Sequence, residues 1–150
     1  MTISERDREY LARAIDLGGY CLPSATAFSV GALVAASNGA VLASSFSREH
    51  DLRDHAEEGA LAKLNLDDPR LANATLYSSL EPCSTRASRP RSCTELILAT
   101  AIPRIVFAWR EPIFFVDCEG AELLRAAGRE VVEVSDLAHR VRRTNAHLRK

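Results

Sequence analysis

Short apolar runs alternate with helical patterns along most of this chain, and this alternation constrains the fold more than any other feature. Runs with the length and composition of strands occupy 28–36, 40–46, 73–80, 104–109 and 130–134. Segments with a helical rhythm occupy 4–17, 55–64, 93–100, 118–127 and 135–148. Strands that are separated by helices favour parallel neighbours in a helix-covered sheet. The order α-β-β-α-β-α-β-α-β-α therefore predicts an α/β fold whose last two strands run parallel.

Local signals mark several boundaries of these elements. Ser37-Asn38-Gly39 is a tight-turn sequence and predicts a hairpin between the first two strands. Asp54 is expected to cap the second helix, and Ser92 with Glu95 has the spacing of a capping box for the third. Ser135 is expected to cap the last helix.

The composition is that of an ordinary globular protein. With 150 residues, 47% of them hydrophobic and 26% charged, the chain can bury a core of its own and is expected to form one domain over 1–150. A formal net charge of −1 argues against a strong overall attraction to nucleic acid. No apolar run approaches the roughly 20 residues that a membrane helix needs. The charged start, MTISERDREY, is unlike a signal peptide, so a cytoplasmic location is expected.

Cysteine and histidine residues give the clearest chemical signal. In a chain without an export signal, thiols or metal ligands are expected rather than disulfides from its four cysteines, Cys21, Cys83, Cys93 and Cys118. His55, Cys83 and Cys93 are good ligands for Zn²⁺, and three protein ligands leave the fourth tetrahedral position open for water. Glu57, two residues after His55, is placed to move protons for that water.

The predicted elements bring these four residues together. His55 and Glu57 would open one helix, and Cys93 would open another, where a helix N-terminus favours the thiolate that binds metal. Cys83 would follow a strand, at the edge where the active crevices of α/β sheets open. Such a site would perform hydrolytic deamination, with Glu57 passing a water proton to a ring nitrogen and to the departing ammonia.

Two other interpretations of these residues remain open. Cys83 and Cys93 could be buried apolar thiols, as most free cysteines are. A structural zinc site would need a fourth protein ligand, which Cys21, His50 or Cys118 could supply. The joint occurrence of His-x-Glu, a strand ending in Glu-Pro-Cys and a helix-opening cysteine favours the catalytic interpretation.

At these segments the chain resembles the cytidine-deaminase-like superfamily over nearly all of its length. The resemblance rests on 28–46, on 54–64 with His55-Ala56-Glu57, on TLYSSLEPC with the residues up to Cys93, and on the order of elements. It implies a three-layer α/β/α sandwich around a five-stranded mixed sheet. It also implies that His55, Cys83 and Cys93 ligate zinc, that Glu57 is the proton shuttle, and that the protein is a homodimer or higher homo-oligomer.

The spacing of the two ligand cysteines distinguishes branches of this superfamily. Nine residues separate Cys83 from Cys93, whereas the tRNA and nucleobase enzymes have two. The longer loop resembles the deaminase domain of the bifunctional riboflavin-biosynthesis deaminase/reductase, although Ser29 stands where that domain has an asparagine. The resemblance implies a small, ribosylated or phosphorylated aminopyrimidine as substrate.

Other functions within or near the superfamily stay open at this point. The enzymatic alternatives are a cytidine, deoxycytidylate or free-nucleobase deaminase, for cytosine or guanine. A tRNA adenosine deaminase is disfavoured by the absence of Cys-x-x-Cys, despite the basic C-terminal residues. A non-catalytic zinc-binding module is the remaining alternative, but it would have no use for Glu57.

Further residues are candidates for substrate contact. Arg86, Arg89 and Arg91 lie in the loop that the ligand cysteines tether at both ends. Guanidinium groups suit bidentate phosphate contacts, so at least one of these arginines is a candidate phosphate ligand. Ser29 is a candidate to line the pocket, because the end of the first strand approaches the metal in the family. His50, just before the ligand helix, is a further candidate.

Overall fold

A computed structural model describes residues 3–84, 89–110 and 119–148. Three short 3₁₀ turns, Pro69–Asn73, Ser135–Leu137 and Ala146–Leu148, accompany the main elements. The helices and strands in chain order are α1 (Glu5–Gly18), β1 (Gly31–Ala35), β2 (Val41–Phe46), α2 (Ala56–Ala62), β3 (Thr75–Leu80), α3 (Cys93–Leu98), β4 (Arg104–Trp109), α4 (Gly120–Ala126), β5 (Glu130–Glu133) and α5 (Ala138–Thr144).

The five strands form one mixed sheet in the order β2-β1-β3-β4-β5. β1 runs antiparallel to both β2 and β3, whereas β3, β4 and β5 are mutually parallel. The predicted mixed sheet and the parallel last pair are therefore confirmed. Because of these directions, β2, β3 and β4 end at the same edge of the sheet at which β1 begins, and this edge carries the candidate site.

Two apolar clusters, one on each face of the sheet, make the three layers. On one face, Leu11 of α1 and Val141 of α5 belong to a cluster with Leu33 and Val106 of the sheet. On the other face, α2, α3 and α4 contribute to a cluster with the opposite side chains of the same strands; its helical members include Ala60, Ile97 and Leu124. Alternate side chains along the strands thus pack on opposite faces of the sheet, which confirms the α/β/α sandwich.

Most predicted boundaries lie within a few residues of the observed ones. Gly39, at φ 92°, forms the predicted hairpin turn, since glycine adopts this left-handed conformation without a steric penalty. Ser92 caps α3 in the predicted capping box: its hydroxyl accepts from the Glu95 amide at 3.1 Å, and its own amide donates to Glu95 Oε1 at 3.3 Å. The predicted start of α4 at Cys118 lies outside the described residues.

Two predicted helix caps are wrong. The N-cap of α2 is His55 rather than Asp54, because the Asp54 carboxylate accepts a hydrogen bond from Arg89 instead. Ser135 is not a cap: the preceding residue, Val134, is still bonded to the sheet through Phe107, so Ser135 already lies in a 3₁₀ turn.

The observed terminal helix is also shorter than the predicted segment 135–148. It divides into the turn Ser135–Leu137, α5 and the turn Ala146–Leu148. The break after α5 falls at Asn145, whose buried side chain bonds to the backbone of Ser29 on the neighbouring layer. Within the described part of the chain, no helix is both long enough and apolar enough to cross a membrane.

Candidate metal centre

His55 supplies the nitrogen of the candidate metal centre. As the N-cap of α2 it has an extended backbone, with φ −83° and ψ 160°, and its amide donates to Glu58 Oε1 at 3.4 Å. Its Nδ1 atom lies 3.5 Å from Cys83 Sγ and 3.3 Å from Cys93 Sγ. The imidazole therefore presents Nδ1, rather than Nε2, to the two sulfur atoms.

Cys83 and Cys93 are brought together by the end of β3 and the start of α3. Cys83 follows Pro82 at the carboxyl end of β3, and Cys93 is the first residue of α3. The Cys93 amide donates to Cys83 Sγ at 3.2 Å, and the Thr94 amide donates to the Cys83 carbonyl at 3.1 Å. The first turn of α3 thus binds the chain that carries Cys83.

The three ligand atoms lie within 4.8 Å of one another. Hydrogen bonds from the Cys93 thiol and from His55 lower the pKa of Cys83, despite its burial, and this favours the thiolate that metals bind. One imidazole and two sulfurs are a donor set that suits zinc. These residues could therefore hold a zinc ion.

A fourth protein ligand does not join this group among residues 3–84, 89–110 and 119–148. Cys21 instead contacts the Gly18 carbonyl and the Arg48 guanidinium, and the His50 side chain is 66% exposed beside Glu49. Cys118 lies outside the described residues. Within the described structure the centre has the open, three-ligand form of a catalytic site.

Glu57 is buried beside the metal-ligand group. It is the second residue of α2, only 4% of its surface is exposed, and its carboxyl hydrogen bonds with Cys93. Burial raises the pKa of Glu57 above its ordinary value. A carboxyl in this position can exchange protons with a molecule held at the metal centre.

Ser29 and His50, the predicted pocket-lining residues, have different surroundings. Ser29 is buried just before β1, at the same edge of the sheet as Cys83. The Asn145 side chain holds its backbone at both ends, accepting from the Ser29 amide at 2.6 Å and donating to the Ser29 carbonyl at 3.1 Å. His50 lies on the loop after β2 with its side chain exposed beside Glu49.

The arginines of the loop between the ligand cysteines are only partly described. Arg89 donates to Asp54 at 2.8 Å and lies 3.5 Å from Glu58, so it ties the loop to the start of α2. Its Nε atom is buried and makes no hydrogen bond within the described structure, but it is the atom that lies 3.5 Å from Glu58 Oε2. Arg91 approaches the Glu95 carbonyl at 3.5 Å, and Arg86 lies outside the described residues.

Two buried residues of this region, Asn145 and Glu81, were not identified as site residues from the sequence. The first is Asn145, which bonds to Ser29 at a distance of 116 positions along the chain, and no local pattern pairs the two. Glu81 was noted only as part of the Glu-Pro-Cys segment, yet its side chain is 1% exposed and bonds to the start of α4. A carboxylate directly after a buried strand was the one available signal, since acidic side chains are rarely buried without partners.

The fold and the ligand group together define an α/β protein with an open His/Cys/Cys centre. The profile of the family described as "Cytidine and deoxycytidylate deaminase zinc-binding region" matches residues 4–109. The chain belongs to this family.

Known relatives confirm the resemblance to riboflavin-pathway deaminases. The chain is 41% identical over 127 residues to the diaminohydroxyphosphoribosylamino-pyrimidine deaminase of Schizosaccharomyces pombe, a match that covers 83% of this chain and 31% of that protein. The chain spans about a third of the length of the curated relatives it matches.

Solved structures confirm the fold. Acinetobacter baumannii RibD superposes with a TM-score of 0.82 at 23% identity, covering 96% of this chain and 39% of that one. The Aspergillus oryzae Rib2 deaminase, a C-terminal deletion mutant in complex with DARIPP, superposes with a TM-score of 0.81 at 21% identity, covering 97% and 93%.

Proposed function

We propose that this protein is a zinc-dependent hydrolytic deaminase of a small, ribosylated or phosphorylated aminopyrimidine. In this proposal His55, Cys83 and Cys93 hold the metal, and Glu57 is the general acid and base. The observation that carries it is the open three-ligand group with a buried carboxyl beside it. A structural zinc site would require a fourth ligand, and it would gain nothing from Glu57.

The protein's own residues account for the proton transfers of this reaction. Zinc held by His55, Cys83 and Cys93 would supply a water molecule activated for attack on the amino-bearing carbon of the ring. Glu57 takes the proton released from that water and delivers it to the adjacent ring nitrogen. The same carboxylate then takes the proton of the hydroxyl that has been added to the carbon and passes it to the amino group, which leaves as ammonia while the carbonyl forms. Burial of Glu57 excludes bulk water from this relay.

The substrate assignment rests on the relatives and on the loop between the ligand cysteines. The Schizosaccharomyces pombe relative is named for a phosphoribosylated diaminopyrimidine, and the Aspergillus oryzae structure contains DARIPP. We propose at least one of Arg86, Arg89 and Arg91 as a phosphate ligand, because guanidinium groups suit phosphate and their loop joins the two ligand cysteines. Ser29 and His50 are proposed as further pocket contacts.

Cytidine or deoxycytidylate is the second candidate substrate. The description of the matching family names both deaminase activities, and the same ligand group and Glu57 would serve either reaction. All of these compounds carry an amino group on a ring carbon that is bonded to a ring nitrogen. Which of these substrates the protein takes therefore depends on the shape and charge of the pocket rather than on the metal centre.

An ammonia-release screen tests the proposal. The full chain, loaded with zinc, would be assayed against the riboflavin-pathway diaminopyrimidine, cytidine, deoxycytidylate, cytosine and guanine, with phosphorylated and unphosphorylated forms compared. We expect the highest kcat/KM with the phosphoribosylated diaminopyrimidine. A preference for deoxycytidylate would select the second candidate, and no release from any compound, with zinc bound, would contradict the deaminase assignment.

Location and assembly complete the proposal. The described cysteines are free thiols, which fits the reducing cytoplasm that we propose as the location. We also propose a homodimer or higher homo-oligomer, with no membrane or nucleic-acid partner. Size-exclusion chromatography with light scattering would test the assembly, and a monomeric mass at all concentrations would contradict it.

A further inference from the structure

Glu81 is a buried carboxylate that the proposed mechanism does not use. It follows the last residue of β3, and its amide donates to the Trp109 carbonyl at 2.9 Å, as if the strand continued for one more residue. Its side chain is 1% exposed. A carboxylate is rarely buried to this extent without strong partners, so its contacts indicate what it does.

Glu81 binds the start of α4 through its side chain. Oε2 of Glu81 accepts a hydrogen bond from the Ala121 amide at 3.0 Å, in a buried position. Three residues further along the chain, Ser84 Oγ accepts from the Glu119 amide at 3.0 Å. The N-cap of α4, Glu119, makes no side-chain capping bond of its own. Glu81 and Ser84 therefore satisfy amides that a helix start leaves free.

Between Glu81 and Ser84 lie Pro82 and the candidate ligand Cys83. A Cβ atom added at Gly120 would lie 1.9 Å from the Pro82 carbonyl oxygen, so only glycine allows α4 to approach this closely. From the other side, the amide of Thr94 in α3 donates to the Cys83 carbonyl at 3.1 Å. The ligand turn 81–84 is thus held between the first turns of two helices.

We propose that Glu81 is a positioning residue for the metal centre: by bonding to the start of α4 it fixes the turn that presents Cys83. This inference rests on the proposed zinc ligation by Cys83. Partners that orient metal ligands without touching the metal contribute about 10- to 100-fold to metal affinity. Glu81 reaches the metal centre through the backbone of Pro82 and Cys83.

Glu81 also contacts Arg110, and the effect of this contact on metal binding must be distinguished from that of the Ala121 hydrogen bond. Arg110 lies 3.6 Å from Glu81 Oε2, and it also pairs with Glu122 at 2.9 Å and with Glu133 at 3.3 Å. Glu122 is half-exposed on α4, so Glu122→Gln weakens this ion-pair cluster without touching the hydrogen bond between Glu81 and Ala121. This variant is the matched control.

The test measures metal binding directly. Zinc affinity of the metal-free full chain would be measured by competition with a chromophoric chelator, and the thiolate charge-transfer band of the Co²⁺-loaded protein would report ligand geometry. We expect Glu81→Ala to weaken zinc binding by about 10- to 100-fold and to alter the Co²⁺ band. Glu81→Gln should lie between Glu81→Ala and the wild type, because its amide oxygen can still accept from Ala121. Glu122→Gln should match the wild type.

The possible results separate this inference from the proposed function. If the wild type binds zinc and Glu81→Ala binds it equally well, the positioning role is overturned while the metal centre stands. Equal weakening by Glu81→Ala and Glu122→Gln would also overturn it, since the ion pairs would then be responsible. If Glu81→Ala does not fold, Glu81→Gln decides: we expect zinc binding weaker than in the wild type, and unchanged affinity would overturn the role. A wild type that binds no zinc would contradict the proposed function itself.

Discussion

The two ends of the sheet each contain a buried carboxylate, and their surroundings differ. At the end away from the metal-ligand group, Asp7 of α1 is 3% exposed, and near the group Glu57 of α2 is 4% exposed. Asp7 receives two hydrogen bonds from Arg104, at 2.7 and 2.8 Å, and one from Tyr77 at 2.7 Å. Glu57 forms no ion pair with lysine or arginine within the described residues.

This difference moves the two pKa values in opposite directions. Burial alone would raise the pKa of Asp7, but its hydrogen bonds from Arg104, the Ser4 backbone and Tyr77 outweigh burial and hold the pKa well below its usual range. Burial raises the pKa of Glu57 because no comparable set of donors surrounds it. A fully partnered buried carboxylate contributes to stability, whereas a poorly partnered one is suited to proton transfer.

The largest expected effect is on catalysis, from Glu57→Gln. Glutamine keeps the size of the side chain but cannot carry the proton, so we expect ammonia release to fall about 10³-fold. Zinc content, measured by atomic absorption, should stay at the wild-type level because Glu57 is not a proposed ligand. Wild-type turnover in this variant would rule out the assigned mechanism.

The next effect is on stability, from Asp7→Ala at the opposite end. Removing one partner of a buried ion pair leaves Arg104 without its main anion, so we expect the free energy of unfolding to fall by about 2 to 4 kcal/mol. Urea denaturation would measure it. Asp136→Ala is the control, because Asp136 pairs with Arg8 on the surface and should cost less than about 1 kcal/mol.

Changes at Asp7 and at Glu57 should also differ in their effect on activity. Asp7→Ala should keep the wild-type kcat at temperatures where the variant is folded, since Asp7 lies at the opposite end of the sheet from Cys83. A loss of kcat without a loss of folded protein would contradict the division between the two ends.

Local patterns predicted the parts of this structure that neighbouring residues determine. The strand Arg104–Trp109, the turn at Gly39 and the Ser92 capping box depend on a few adjacent residues, and all three were predictable. Within the site, the spacing of His55 and Glu57 at the start of one helix was equally local. Cys83 and Cys93 were connected through the expected ends of a strand and a helix.

Contacts between distant residues were not predictable from spacing. Asp7 reads as an ordinary acidic residue in the first turn of a helix, and its partner Arg104 is 97 positions away. The pairing depends on the strand order β2-β1-β3-β4-β5, which places the start of β4 near α1 and which no local motif specifies. The same holds for Asn145 and Ser29, and for Glu81 and the start of α4.

Acid should reduce the contribution of Asp7 in a defined direction. Its folded-state pKa lies below the unfolded value of about 3.9, so as pH falls the unfolded chain binds the proton first. The stabilisation is therefore present above about pH 4 and is lost as pH falls further. We expect the difference in unfolding free energy between metal-free wild type and metal-free Asp7→Ala to shrink below about pH 4. A difference that stays constant down to pH 2 would show that Asp7 is not selectively stabilised in its ionised form.

The smallest expected effect comes from Tyr77→Phe, which removes one donor to Asp7 and leaves Arg104 in place. The Tyr77 ring is buried and packs edge-to-face on Tyr10 at 5.7 Å between centroids, and phenylalanine preserves that contact. The hydroxyl bond to Asp7 is lost while the ring contact stays, so we expect the free energy of unfolding to fall by about 1 kcal/mol, with kcat unchanged. Combined with Asp7→Ala, the same change should cost much less than it does alone, because the hydroxyl would no longer have its partner. If the two losses simply add, the Tyr77 hydroxyl stabilises the fold through a group other than Asp7, and the contrast with Glu57 would then rest on Arg104 and the Ser4 backbone alone.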